Sequence, residues 1–118
     1  MPANEGILDK LREICLALPD TEEGLAWGHP VFRVAGKLFA GYEELKGKWT
    51  VGFKLEPEHA DLLVHDESVV AMQNLGGHKW ISLDAERIDD WDGVAAHVLE
   101  SYRLSAPKRS LEKLDARS

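Results

Sequence analysis

The chain has 118 residues, with 14 basic and 21 acidic side chains and a formal net charge of −7. Its length predicts one domain over residues 1–118, since domains ordinarily take ~100 to 200 residues, and a 44% hydrophobic content is enough for a core without disulfides or metals. This composition disfavours disorder, and the acidic charge disfavours a general polyanion-binding surface.

A helix is predicted to begin near Ile7. Its apolar residues recur at spacings of three and four up to Leu18, and Pro19 ends it. Cys15, the single cysteine, lies in this apolar stripe and is therefore predicted to be a buried small side chain, not a nucleophile. One cysteine forms no intramolecular disulfide, and the apolar run from Ile14 to Leu18 is too short for a signal peptide or a membrane span. We expect a cytoplasmic protein with no membrane association.

Three strands are predicted next. After an acidic turn at residues 20–23, the stretch 31–43 is rich in branched and aromatic residues and is interrupted by Ala35 and Gly36, which indicates a hairpin. A second turn at residues 46–47 leads into residues 48–55, where apolar side chains alternate with polar or small ones. That period of two is typical of a strand with one buried and one solvated face.

The second half of the chain begins with a short helix at Pro57, because proline at the first helical position loses no hydrogen bond. Residues 69–72 and 79–83 predict two strands, and an aspartate cap begins a further helix that Pro107 ends. Residues 108–118 add one helical turn or fray. The order helix, three strands, helix, two strands, helix predicts an α+β fold of two layers, an antiparallel sheet with helices on one face.

The end of the chain differs in charge from the rest. Residues 101–118 carry five basic and two acidic side chains, a local charge of +3, so the first hundred residues carry −10. Two interpretations stay open, a patch that contacts anions or a partner and a simply solvated end.

Trp80 is predicted to project from the uncovered face of the sheet. It alternates with Ile81 and therefore lies on the other side of its strand, near Lys48 and Lys54. An aromatic ring beside lysines can stack a nucleobase and contact its phosphate. The alternative is that Trp80 packs against a turn or a dimer partner.

No motif in the sequence predicts catalysis or metal binding. His59 and His65 are six residues apart and project from different sides of a helix, and no zinc-type spacing occurs. The glycine-containing segment 74–79 precedes a strand, so it lacks the helix amides of a phosphate-binding loop. No nucleophile, base and orienting group occur at a recognisable spacing. We predict a non-enzymatic protein with no catalytic residue, no metal and no cofactor.

Several segments resemble the MmcQ/YjbR family, in order and over nearly the whole chain. They are Ala17-Leu18-Pro19 with Glu22-Glu23, Trp27-Gly28-His29-Pro30, Phe32-Arg33-Val34, Gly36-Lys37-Leu38-Phe39-Ala40, Phe53-Lys54-Leu55, Gly77-His78 with Trp80, and Ser101-Tyr102-Arg103-Leu104 with Ala106-Pro107-Lys108-Arg109. The resemblance implies a CyaY-like two-layer fold. It also implies DNA binding, the activity by which members of this family are often named. The residues taken as the family motif are Trp27, Gly28, His29, Pro30, Phe32, His78 and Tyr102.

The function expected from this resemblance is weak DNA binding through the open sheet face and the basic C-terminal segment. The predicted contacts are Trp80 for stacking and, for phosphates, Lys37, Lys54, Lys79, Arg103, Lys108 and Arg109. The alternative is a protein-interaction or chaperone-like module, with a protein partner or a second copy on the same face. Clustered basic residues would favour the first, an apolar open face the second, and a deep pocket containing His29 or His78 with a carboxylate would favour an enzyme.

Overall fold

The structure is a computed structural model that describes residues 2–117. Its elements are α1 (Pro2–Leu16), β1 (Thr21–Ala26), β2 (His29–Val34), β3 (Lys37–Leu45), β4 (Lys48–Leu55), α2 (Pro57–Leu63), β5 (Val69–Leu75), β6 (His78–Asp84), a 3₁₀ turn (Ala85–Arg87), α3 (Trp91–Ser105) and α4 (Lys108–Asp115). The strands form one sheet in the order β1-β2-β3-β4-β6-β5, and every neighbouring pair is antiparallel. The predicted α+β class and element order are confirmed, and the structure adds β1, α4 and the short 3₁₀ turn.

Strand β1 lies where the sequence predicts an acidic turn. Its side chains do not alternate between apolar and polar. It is an edge strand, and its extended conformation is stabilised by backbone hydrogen bonding with β2. Arg12 of α1 also holds the strand through two hydrogen bonds to the Glu23 carboxylate, of 2.6 and 2.9 Å. Local pattern could not reveal a strand that depends on these distant partners.

Helix α4 is the second addition, at the segment predicted to form one turn or fray. Asp20, just before β1, fixes it by accepting hydrogen bonds from the Ser110 hydroxyl at 2.6 Å and the Lys113 ammonium at 2.9 Å. These two bonds hold the pKa of Asp20 below its usual value. The basic segment is therefore ordered by an acidic residue about ninety positions earlier in the chain.

The core lies between the helices and one face of the sheet. Phe53 of β4 is fully buried there and stacks on the His97 ring of α3, with ring centroids 5.2 Å apart. Tyr102 of α3 contacts Phe39 edge to face and donates its hydroxyl to the Pro19 carbonyl at 2.9 Å. Cys15 is completely buried, as predicted, and burial raises the pKa of its thiol.

Three two-residue turns join the first four strands. In each, a non-glycine residue and the following glycine both have positive φ, at Trp27 (52°) and Gly28 (83°), Ala35 (48°) and Gly36 (85°), and Lys46 (53°) and Gly47 (79°). Left-handed conformation at both central residues is the type I′ geometry, which matches the natural twist of paired strands.

The sheet opens at one corner, where β3 begins and β4 ends. Phe39 is an extra residue on β3, so that Ala40 pairs with Phe32 and Leu38 pairs with the next residue of β2. The hydroxyl of Ser101 on α3 enters the gap, accepts a hydrogen bond from the Lys54 backbone N–H at 2.8 Å and donates one to the Phe39 carbonyl at 2.6 Å. The helix thus supplies the hydrogen bonds that the two strands do not make to each other.

Candidate functional site

Trp80 lies on the sheet face opposite the helices, as predicted. In the register of β4 and β6 it is directly across from Lys54, and Gly52 on the neighbouring strand faces Gly41 of β3. The indole reaches across both glycines. A Cβ placed on Gly52 would lie 2.6 Å from indole Nε1, and one on Gly41 would lie 3.6 Å from Cζ2. A glycine within a strand often marks such a close approach of another group.

The Trp80 indole forms part of a shallow cavity of about 200 Å³ on this open face. Trp27, Leu38 and Leu75 are among the apolar residues that line it, and Gln73 contributes an amide. Trp27 is 88% exposed although it is the largest type of apolar side chain, which makes it unusual for a residue with only a structural role. Among residues 2–117, the lining of this cavity contains no lysine or arginine.

The charged group in the cavity wall is a carboxylate paired with a histidine. His29 Nε2 lies 2.9 Å from Glu43 Oε2, and both side chains are partly exposed. His29 Nδ1 is buried and has no hydrogen-bond partner among the described residues. The hydroxyl of Thr50, directly across from Glu43, donates to the Glu43 backbone carbonyl at 2.9 Å. The wall therefore offers a hydrogen-bond acceptor to a ligand.

The opposite side of the open face is basic. Lys54 is partly buried at the opened corner, where its ammonium donates to the Ser105 hydroxyl at 3.0 Å. Burial lowers the pKa of Lys54, and the nearby charge of Lys37 lowers it further. Arg33, on β2, is across from Leu38 on the open face, and its guanidinium lies beside Gly24 of the edge strand β1, where a Cβ would be 3.2 Å from Nη1.

The acidic residue Glu43 and the basic residue Lys54 lie on either side of the indole, a defined distance apart along β4. Thr50, across from Glu43, and Lys54, across from Trp80, are four residues apart on the same side of this strand. At ~3.3 Å per residue, the backbones of the two ends are separated by roughly 13 Å. Gly52 and the indole above it lie between them. The open face thus has a central aromatic ring, an acceptor on one side and the Lys54 cation on the other.

The structure brings together only some of the residues predicted to contact DNA. Trp80 and Lys54 are directly across from each other. Lys37 is across from the core residue Val34 and therefore starts from the helical face, although its charge lies close to that of Lys54. Lys79 also projects from the helical face and pairs with Asp61 at 3.0 Å. Adjacent residues of a strand face opposite sides, which separates Lys79 from Trp80.

The C-terminal predicted contacts lie on α3 and α4. Arg103 pairs with Asp115 at 3.2 Å on the exposed surface. Lys108 and Arg109 occupy the exposed first turn of α4, a few residues beyond Ser105. Ser105 contacts Lys54, so α4 begins near the basic side of the open face.

The predicted motif residues divide into two groups. Trp27, Gly28 and His29 form the turn and strand end beside the cavity, with Pro30 next to them on β2 and His78 partly buried at the start of β6. Phe32 and Tyr102 are fully buried in the core. Their position indicates that these two residues stabilise the fold.

Sequence reasoning did not find Glu43 or the two glycines under Trp80. Gly52 is a glycine in the interior of β4, and this was the available signal for a close contact. Glu43 occupies an ordinary solvated strand position, and only the assembled sheet places it beside His29. It had no recognisable signal in the sequence.

A second histidine cluster lies on the helical side. His59 Nδ1 is 2.6 Å from Glu100 Oε1, and its ring centroid is 5.0 Å from that of His97. The described residues contain no group of three or more histidine, cysteine, aspartate or glutamate side chains placed to hold a metal ion. Within that same part of the chain, no helix has the length and apolar character to cross a membrane.

Comparisons with known proteins agree with the fold. The family model described as YjbR matches residues 16–104. Among solved structures, the crystal structure of the Deinococcus radiodurans protein DR2400, with the family-model domain DUF419, is similar with a TM-score of 0.71. It shares 20% sequence identity, and the match covers 92% of this chain and 87% of that one. At this identity the likeness concerns the fold alone. No curated protein matches the chain.

Proposed function

The chain belongs to the YjbR family, and from this starting point we propose that it binds single-stranded DNA in the cytoplasm without catalysing a reaction. The observation that carries the proposal is the Trp80 indole, which lies over Gly41 and Gly52 with Lys54 directly across from it. An aromatic ring on an open sheet with a cation beside it can stack a base and neutralise the adjoining phosphate.

The shape and charge of the face favour a single strand over a duplex. The cavity of about 200 Å³ has room for one flat ring at Trp80, and a base reaches such a site only when it is unstacked. The net charge of −7 opposes the approach of a long polyanion, so binding depends on a few local cations. Lys37, Lys54 and the exposed first turn of α4 provide them. We expect weak binding that falls steeply with salt.

The pairing of His29 with Glu43 places a histidine and a carboxylate in a shallow cavity, whereas the arrangement that would favour an enzyme is such a pair in a deep pocket. Neither ring nitrogen of His29 has a nucleophile as its partner, because Nε2 faces Glu43 and Nδ1 has no partner among the described residues. The Thr50 hydroxyl donates to a backbone carbonyl. A binding role therefore explains the pair with fewer assumptions than catalysis.

A protein partner or a second copy of the chain is the second candidate for this face. The observation in its favour is the exposure of Trp27 and Leu75, which are 88% and 43% exposed beside the cavity. Exposed apolar side chains of this kind are common in protein interfaces.

The proposal is tested by fluorescence anisotropy with labelled single-stranded and duplex DNA at low salt. We expect the single strand to bind more tightly, and Trp80→Ala to weaken its binding by the ~1 to 3 kcal/mol of one stacked base. The matched control is Trp91→Ala, because Trp91 is also partly buried but lies on α3. Circular dichroism of both variants verifies that they remain folded.

The phosphate contacts are tested by the salt dependence of the same binding. Neutralising Lys37 and Lys54 together should reduce the slope of log affinity against log salt by about 1.4, since each phosphate contact on a single strand contributes about 0.7. Lys79→Gln is the control, because the Lys79 ammonium is already paired with Asp61 on the helical side. Absence of binding by the parent protein, or equal binding by Trp80→Ala, would contradict the proposal and favour a protein partner.

A further inference from the structure

The cavity holds an acceptor at a position that a stacked base would reach with its edge. Trp80 and Glu43 line the same cavity, and Glu43 is two residues beyond Gly41 on the same side of β3. The basic residue Lys54 lies on the opposite side of the indole. A nucleotide stacked on Trp80 with its phosphate toward Lys54 therefore directs the free edge of its base toward Glu43.

The carboxylate distinguishes among the four DNA bases by their hydrogen-bonding edges. An ionised carboxylate only accepts hydrogen bonds, and it is best satisfied by two donors side by side. Guanine presents N1–H and the N2 amino group next to each other. Adenine and cytosine each present an amino group beside a ring nitrogen that is an acceptor, and thymine presents one N–H between two carbonyls. Guanine alone avoids placing a lone pair against the carboxylate.

The pairing with His29 supports this use of Glu43. The 2.9 Å contact to Nε2 restrains the carboxylate on the cavity wall. The lining, as far as it is described, has no lysine or arginine that would occupy the carboxylate instead.

We propose that this cavity is a guanine-selective subsite, in which Trp80 stacks the base and Glu43 accepts hydrogen bonds from guanine N1–H and N2–H. The proposal rests on the proposed binding of single-stranded DNA and names the base that this face selects. Selectivity resides in the two donors of the base and not in the phosphate.

The test compares thymidine oligonucleotides that differ only at one central base. The central base is guanine or hypoxanthine, which lacks only the N2 amino group of guanine. We expect the guanine oligonucleotide to bind about tenfold more tightly, the magnitude expected for one good bidentate contact. Glu43→Gln should abolish this difference, while Glu44→Gln should keep it, because Glu44 loses the same charge from the neighbouring, oppositely facing position.

Titration of the protein with free guanosine and inosine separates this proposal from the function on which it rests. If oligonucleotides bind without a guanine preference, the subsite is disproved and DNA binding stands. If guanosine binds more tightly than inosine but no oligonucleotide binds, the subsite stands and DNA binding is wrong. If neither the oligonucleotides nor guanosine binds, both the guanine subsite and DNA binding are wrong. Because inosine changes only the ligand, the guanosine comparison holds even if Glu43→Gln does not fold.

Discussion

The indole of Trp80 occupies the space that a side chain at Gly52 would need, since a Cβ there would lie only 2.6 Å from its Nε1. Neither Gly52 nor Gly41 has a left-handed backbone, so space and not conformation requires a glycine there. Gly52→Ala should therefore displace the indole and weaken binding of single-stranded DNA by about 1 to 3 kcal/mol, the contribution of one stacked base. The control is Gly41→Ala, whose Cβ would make an ordinary 3.6 Å contact. Equal binding by both variants would show that the indole position is not what matters.

Trp27 should be replaceable with a gain in stability. It has φ of 52° at the first central position of a type I′ turn, a conformation that costs most residues about 1 kcal/mol and that asparagine adopts readily. We expect Trp27→Asn to raise the free energy of unfolding by about 0.5 to 1 kcal/mol and to weaken ligand binding. Ala35→Asn, at the equivalent turn position with φ of 48°, should stabilise without affecting binding. Urea unfolding and anisotropy measure the two effects, and a Trp27→Asn protein that binds normally would exclude Trp27 from the site.

Ser101 should contribute more to stability than a single hydroxyl usually does. Its side chain is fully buried and satisfies both the Lys54 N–H and the Phe39 carbonyl. Because Ser101→Ala leaves two backbone groups without partners, we expect a loss of about 2 to 4 kcal/mol in urea unfolding. Ser105→Ala removes a long 3.5 Å bond to a carbonyl and a bond to the partly buried ammonium of Lys54, and should cost about 1 to 1.5 kcal/mol, less than Ser101→Ala. Similar losses for the two variants would contradict the bridging role.

His97 should make the protein less stable in mild acid. Its ring stacks on Phe53, and burial together with the nearby His59 lowers its pKa, while Glu100 opposes the shift. The unfolded chain therefore binds a proton at a higher pH than the folded one does, so the stabilising contribution is complete above about pH 6.5 and is lost as the pH falls through the folded pKa. His97→Phe should remove this part of the acid dependence.

The measurement is urea unfolding of the parent and of His97→Phe from about pH 7.5 to pH 5.5, above the range in which most carboxylates titrate. The difference in free energy of unfolding between the two proteins should shift in favour of the variant as the pH falls. A difference that is independent of pH would show that His97 does not titrate differently on folding.

The elements predicted correctly from the sequence are those whose own residues carry a recognisable signal, such as an alternation or a helix cap. Strand β4 has its alternation, and α3 has its Asp90 cap, whose carboxylate accepts from Gly93 N–H at 3.1 Å. Strand β1 was not found, because its order comes from pairing with β2 and from Arg12. The residues of the strand itself do not indicate these distant partners.

The candidate site was predicted in part for the same reason. The phase of residues 80–83 places Trp80 on the open face, and the register adds Lys54 beside it. Glu43 and His29 meet only after β2 and β3 pair, so no spacing in the sequence indicates their contact. The roles of Lys79 and Arg103 as phosphate contacts stay predictions, although both are paired with carboxylates.

The three tight turns between β1 and β4 bear on how the chain folds. Strands that neighbour each other in sequence also neighbour each other in the sheet up to β4, so their pairing closes only short loops and has a low entropic cost. Strand β6 must instead pair with β4 across the intervening α2 and β5. We expect the β1–β4 meander to be formed in the folding transition state. The bridge through Ser101 should form after it, because Ser101 is 47 positions from Lys54 and 62 positions from Phe39 in the sequence.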